Sequence, residues 1–411
     1  MKNALIGQSG GPTAVINASL AGAMEYAFSC AEIGRVYGMI NGIKGALNEN
    51  FMDLTAAFRG NAEKLEQLKL SPAMYLGSCR YKIAQDDDRD CARMLEILEK
   101  HNIGYFFYIG GNDSMDTVLR LSRYAASVGS DIRFVGIPKT IDNDLPGIDH
   151  APGFGSAAKF VSAVVKDVSY DTSIYAIKSV HIIETMGRNA GWLAASSALA
   201  RDEGHAAPHL IYMPEVAFSD AQFIADVGAC LQKHNSVIIV VAEGLRTENG
   251  EYISAQNGNV DRFGHVMLCG AGLYLKQLVE DHFGCKVRCL ELGVLQRSAG
   301  HSTSMTDVEE AYRLGITAVD AAVNKGLTGC FATLTRVCSQ PYLVQYGTED
   351  VAVVANHERT VPRGWINDRG NDVMPEMLDY LRPLVKGSPH LNEKNGLADY
   401  ISIAHLDTNQ I

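Results

Sequence analysis

The sequence has no basic run, no CxxC pair, no low-complexity stretch, and no apolar segment that outlasts a strand without meeting a charge. Each absence excludes a class of protein. With 36 basic against 47 acidic residues and a net charge of −11, nothing offers an electrostatic footprint for nucleic acid or an anionic membrane. The nine cysteines are scattered, and Cys285 and Cys289 fall in an apolar strand-like run, so reduced buried thiols are expected rather than disulfides or zinc. Met1-Lys2-Asn3 leads directly into Ala4-Leu5-Ile6-Gly7, which leaves no signal-peptide core, and no run is long enough to span a bilayer. A cytoplasmic protein is expected, with no nucleic-acid or membrane partner. If it binds an anion, it needs a locally basic pocket.

What is present is ample apolar material, 47% of 411 residues, and too long a chain for one core of ordinary size. Two domains are expected. Strand-like runs alternate with helical patterns throughout, which argues for an α/β fold with a mostly parallel sheet flanked by helices. A fresh run of alternation begins near Ser179, placing a domain crossing around residues 150 to 178. The tail adds the apolar run Val351-Ala352-Val353-Val354 and a terminal helix from Met374 to about Val385.

Several strands end in polar turns, and the carboxyl edge of a sheet is where open α/β folds place their ligands. The run Phe134-Val135-Gly136 leads into Ile137-Pro138-Lys139-Thr140-Ile141-Asp142-Asn143-Asp144, which delivers a cation and two carboxylates. Asp142 and Asp144 suit a general base and a metal ligand, and Lys139 suits an anion; an Asx-rich turn capping the next helix explains the same residues about equally well. Gly10 and Gly11 lie in a strand-turn-helix unit where backbone N–H groups can approach phosphate, although the spacing matches neither the dinucleotide fingerprint nor Walker A. A second such unit carries Gly110-Gly111-Asn112-Asp113-Ser114, whose polar residues either contact a metal-bound phosphate or cap the helix. In the loop after Leu76, Arg80 and Lys82 are candidate phosphate contacts, with an ordinary solvated side chain the better reading of Lys82. Farther along, Met186-Gly187-Arg188 and Gln296-Arg297 put guanidinium groups at strand ends. Glu243-Gly244 ends another strand, and its carboxylate suits a sugar hydroxyl or a structural salt bridge.

The order and spacing of these six stretches, over residues 4 to about 300, resemble the phosphofructokinase family. The resemblance implies two doubly wound, mostly parallel-sheet domains with the active site in the cleft between them. A phosphoryl-donor domain would take residues 1–150 and about 305–345, and a fructose 6-phosphate domain 151–304 and about 346–411. It makes Asp142 the base for the C1 hydroxyl of fructose 6-phosphate and gives Thr140 the reacting hydroxyl or the transferred group. Asp144 and Asn112 would bear on Mg2+. Gly11 and Arg80 join the substrate set; Met186, Gly187, Arg188 and Glu243 would contact the sugar phosphate, with Arg188 also near the transferred group, and Arg297 would hold the 6-phosphate.

ATP-using members resemble one another in having glycine where this chain has Asp113 and Lys139. A carboxylate would repel an α-phosphate and a Lys side chain would fill its space, so this pair implies pyrophosphate as donor, the alternative being an ATP-dependent 6-phosphofructokinase. Two positions depart from the family pattern: Asn112 stands where an aspartate is usual, and Thr306 where a second phosphate-binding arginine is usual. A homodimer or homotetramer is also implied.

Overall fold

The computed structural model describes residues 1–79, 81–84, 87–253 and 270–402. Apart from a small two-stranded ribbon at Glu393–Lys394 and Leu397–Ala398, its strands are β1 (Lys2–Gln8), β2 (Ile33–Met39), β3 (Phe51–Asp53), β4 (Ile103–Gly110), β5 (Arg133–Pro138), β6 (Ser179–Thr185), β7 (Leu210–Tyr212), β8 (Ser236–Ala242), β9 (Lys286–Glu291), β10 (Cys330–Ser339) and β11 (Tyr342–Asp350). They form a seven-stranded sheet in the order β11-β10-β5-β4-β1-β2-β3 and a four-stranded sheet in the order β7-β8-β6-β9. The second sheet is parallel throughout. In the first, only the outer strands β3 and β11 run antiparallel to their neighbours.

The central strands have apolar middles because helices cover both faces. Ala4, Leu5 and Ile6 of β1 and Val237 to Ala242 of β8 are essentially inaccessible, as expected for parallel strands buried on both sides. The long helix Phe154–Ser173 carries the chain from the first sheet to the second. The chain returns through Met305–Val323, which lies across the helix Ile16–Ser29 in backbone contact. A Cβ on Gly22 would sit 2.0 Å from the Tyr312 carbonyl oxygen, and one on Gly315 would sit 2.2 Å from that of Ser19, so glycine is required at this crossing.

Some segments differ from expectation. The run Val351-Ala352-Val353-Val354 is not a strand but a 3-10 turn, Val351–Val353, capped by Asp350, whose carboxylate accepts the Ala352 N–H at 2.8 Å. β10 and β11 form a hairpin that joins the first sheet through Cys330 and Phe331 of β10, paired with Val135 and Gly136. The chain after Arg188 loops before its helix starts at Trp192, and the terminal helix spans only Pro375–Leu381. Among the described residues every cysteine is free, and no helix is long and apolar enough to cross a membrane.

Candidate active site

The carboxyl ends of β1, β4 and β5 in one sheet and of β6 and β8 in the other face a cleft of about 1160 Å³. Gly11, Asn112, Asp113, Lys139, Thr140, Asp142, Asp144, Met186, Arg188, Glu243 and Arg297 all line it. Gly187 lies beside the cleft, and Arg80 falls outside the described residues.

Lys139 lies at its centre, 3% exposed, with Nζ donating to the Gly11 carbonyl at 2.7 Å. The turn opposite it favours glycine. Gly10 has φ +79°, and a Cβ there would come within 3.2 Å of Lys139 Nζ; one on Gly11 would come within 3.1 Å of an Arg297 guanidinium nitrogen. Burial lowers the Lys139 pKa to about 8 against the pull of Asp142 and Asp144, so the ammonium is mostly charged at neutral pH.

The Thr140 hydroxyl accepts the Asp142 N–H at 3.1 Å, tightening the turn that carries both carboxylates. Burial raises the pKa of Asp142, Glu243 raises it further, and Lys139 and Arg297 oppose both. Burial likewise raises that of Asp144, with Asp142 as its repelling neighbour. A carboxylate held up toward neutrality is matched to proton transfer near pH 7.

Across the cleft Glu243 accepts the Gly187 N–H at 3.4 Å, and burial pushes its carboxyl up to about 7. The Met186 N–H is held by the Gln296 side chain at 3.2 Å. Gly187 adopts φ +135°, and a Cβ on Gly244 would fall 1.9 Å from the Arg188 carbonyl oxygen, so two loops meet backbone to backbone here.

On the side of the seven-stranded sheet, Asp113 stands in the first turn of the helix Asn112–Ser127 and pairs with Lys82 Nζ at 3.3 Å. Lys82 is exposed, as the solvated reading expects, and it lines the cleft beside Asp113. Asn112 is engaged elsewhere: its amide nitrogen donates to the carbonyls of Val354 and His357, and its oxygen accepts the Asn356 N–H at 2.7 Å. One lone pair on that oxygen is left for a metal.

A strap of residues 354–361 also lines the cleft, and no motif marked it. Asn356, His357 and Glu358 reach the cavity, and Glu358 accepts two bonds from the Asn189 amide at 3.0 and 2.9 Å. The one sequence signal was a polar cluster, Asn356-His357-Glu358-Arg359, following an apolar run.

A family model described as Phosphofructokinase matches residues 3–322. The chain belongs to the phosphofructokinase family. A pyrophosphate–fructose 6-phosphate 1-phosphotransferase of Methylococcus capsulatus is 38% identical over 98% of this chain and 96% of its own length. The crystal structure of a pyrophosphate-dependent phosphofructokinase from Nitrosospira multiformis superposes with a TM-score of 0.87 at 37% identity, covering 97% of this chain and 96% of that one. A sulfofructose kinase of Alkalicoccus urumqiensis is 32% identical over 89% of this chain and 92% of its own length. The phosphofructokinase relatives thus include one named for a different sugar acceptor.

Proposed function

We propose that this phosphofructokinase-family protein reversibly transfers a phosphoryl group from pyrophosphate to the C1 hydroxyl of fructose 6-phosphate, giving fructose 1,6-bisphosphate and phosphate. The observation that carries the donor assignment is Lys139: its ammonium fills the space beside the Gly10-Gly11 turn, where an α-phosphate would otherwise lie. Asp113, tied to Lys82 at 3.3 Å, adds side-chain bulk on the same side, which narrows the room for a third phosphate. The half built on the seven-stranded sheet, with residues 305–350, would hold the donor, and the half built on the four-stranded sheet the sugar.

As the C1 oxygen attacks phosphorus, Asp142 takes its proton, the new O–P bond forms and the bridging P–O bond of pyrophosphate breaks. In reverse the protonated Asp142 returns the proton, and its raised pKa keeps both forms accessible. Thr140 holds the reacting hydroxyl or the transferred group. Lys139 and Arg188, both on the cleft wall, would offset the charge that builds up on the phosphoryl oxygens, and such preorganised charge dominates catalysis of this reaction. Met186, Gly187 and Glu243 orient the sugar, Arg297 takes the 6-phosphate, and Gly11 and Arg80 complete the substrate set.

A divalent ion, Mg2+ in the family reading, fits the residues present. The cluster of two raised carboxylates favours a cation, and Mg2+ needs only one or two protein ligands beside phosphate oxygens and water. Asp144, with the remaining lone pair of Asn112, would hold it, and when bound it would neutralise phosphate charge. We also place the protein in the cytoplasm as a homodimer or homotetramer, which gel filtration with light scattering tests.

The deciding assay supplies the purified protein with magnesium, either donor, and fructose 6-phosphate or sulfofructose. Turnover with pyrophosphate and fructose 6-phosphate is expected. Turnover from ATP with none from pyrophosphate overturns the donor assignment, and exclusive use of sulfofructose overturns the acceptor.

A further inference from the structure

The loop that carries the two cleft carboxylates is held in an unfavourable shape. Between Asp142 and Asp144, Asn143 is fully buried and adopts φ 54°, the left-handed region that non-glycine residues seldom occupy. Such a conformation persists only where its surroundings fix it, and here every polar group of Asn143 named below has a partner. The side-chain oxygen accepts the Ala151 N–H at 3.0 Å, and the side-chain nitrogen donates to the Tyr380 hydroxyl at 2.9 Å. The backbone carbonyl accepts a bond from the Arg359 guanidinium at 3.1 Å.

Arg359 does more than this. Its guanidinium also donates to the carbonyls of Ile148 at 2.8 Å and Asp149 at 2.6 Å, and its backbone N–H donates to the Asp144 carbonyl at 2.7 Å. Four bonds from one residue thus pin both ends of the loop 143–149. The guanidinium is spent on neutral oxygens, the Tyr380 hydroxyl at 3.4 Å included, and its charge also helps to hold the Asp149 carboxyl below the usual range. A charge used this way makes sense for its fork, because a planar guanidinium can reach carbonyls at both ends of the loop where an ammonium cannot. The far side of Arg359 belongs to the sugar half. Its guanidinium carbon lies 5.0 Å from the Trp192 ring centroid, and its carbonyl accepts the Trp192 indole N–H at 3.3 Å.

We infer that Arg359 is a positioning residue that sets the Asp142–Asp144 loop of the donor half in register with the sugar half, with Asn143 and Tyr380 as the groups through which it acts. This rests on the reading of Asp142 as base. Misplacing a reacting group by about 1 Å costs on the order of 100-fold in rate, whereas contacts with bound sugar are made elsewhere in the cleft. Loss of the fork therefore lowers kcat and leaves KM nearly alone.

The test uses the full-length protein and whichever donor supports turnover in the wild type. Arg359→Lys keeps the charge and loses the fork; Tyr380→Phe keeps the ring and loses only the hydroxyl. For Arg359→Lys the expected result is a kcat lowered about 30- to 100-fold, a sugar KM within threefold, and faster amide hydrogen exchange confined to residues 142–151. For Tyr380→Phe a milder fall, about fivefold, is expected with unchanged KM. Guanidinium ion added to Arg359→Ala should restore part of the rate, and ammonium should not. A folded Arg359→Lys with kcat within threefold of wild type overturns the inference. So does equal loss in kcat and KM with exchange raised across the whole molecule. If the Arg359 variants do not fold, Tyr380→Phe decides, and wild-type kcat in it overturns the inference. Asp142→Asn separates the two claims: full activity there removes the base assignment, while slowed turnover there with wild-type kcat in Arg359→Lys removes only the positioning role.

Discussion

Asp142 and Asp144 are two residues apart and share one turn, yet their demands differ. In the mechanism proposed above Asp142 accepts the proton, so Asp142→Asn should cut kcat by about 10²–10⁴-fold with fructose 6-phosphate affinity little changed, as steady-state kinetics would record. Near-normal turnover would refute its role. Asp144 carries a stability penalty. Its folded pKa lies above the unfolded carboxylate value, so as pH rises past about 4 the unfolded state ionises first and gains. That penalty is absent below about pH 4 and grows until pH passes about 7, where the folded carboxyl ionises too. Asp144→Asn should therefore raise the melting temperature by a few degrees at pH 7, measured without magnesium, and change nothing at pH 4. Equal shifts at both pH values would remove this explanation. These side chains were legible in the sequence because each follows an apolar strand run directly, so its place at a sheet edge followed from the pattern. Asn356, His357 and Glu358 were not, because they follow a 3-10 turn and owe their position to Asn112 and Asn189, far away in sequence.

At the scale of elements, the return helix Met305–Val323 secures the catalytic loop from behind. Asp307 accepts the N–H groups of Gly153 and Ser156, both at 2.9 Å, capping the crossing helix Phe154–Ser173. One turn on, Glu310 meets buried His150 Nε2 at 2.6 Å, while Asp149 takes Nδ1 at 2.8 Å. Burial works against a charged imidazole, but the two carboxylates outweigh it and hold His150 up at about 9. The stability this contributes is complete below about pH 6.5 and lost as pH rises through 9. Glu310→Gln leaves that buried charge with a weaker partner. It should cost about 3 kcal/mol in urea unfolding at pH 7, and an unchanged midpoint would show that the pair contributes nothing net. The helices and parallel strands were readable from periodicity. The β10–β11 hairpin was not, because past Leu334 its residues alternate in exposure at the open edge of the sheet and no apolar run announces them.

For the whole molecule, a ligand that binds only the folded state stabilises it by mass action. Pyrophosphate with magnesium at 100 times its dissociation constant adds about 2.7 kcal/mol to the folded state, so a concentration-dependent rise in melting temperature is expected, and a much smaller one from ATP at equal concentration. A larger rise with ATP would reverse the donor assignment. The two-sheet architecture was readable because alternation restarts at Ser179; the link between the halves was not, since it depends on the strap near the far end of the chain. That strap also orders events in time. Lys139, Asp142 and Asp144 are synthesised early, but the Arg359 bonds that hold their loop cannot form until the chain has grown past residue 361. At about 5–20 residues per second, that is a wait on the order of ten to forty seconds. Through about half of its synthesis the nascent chain thus carries the Asp142–Asp144 loop without its Arg359 bonds, and the loop is completed late, when most of both halves is already made.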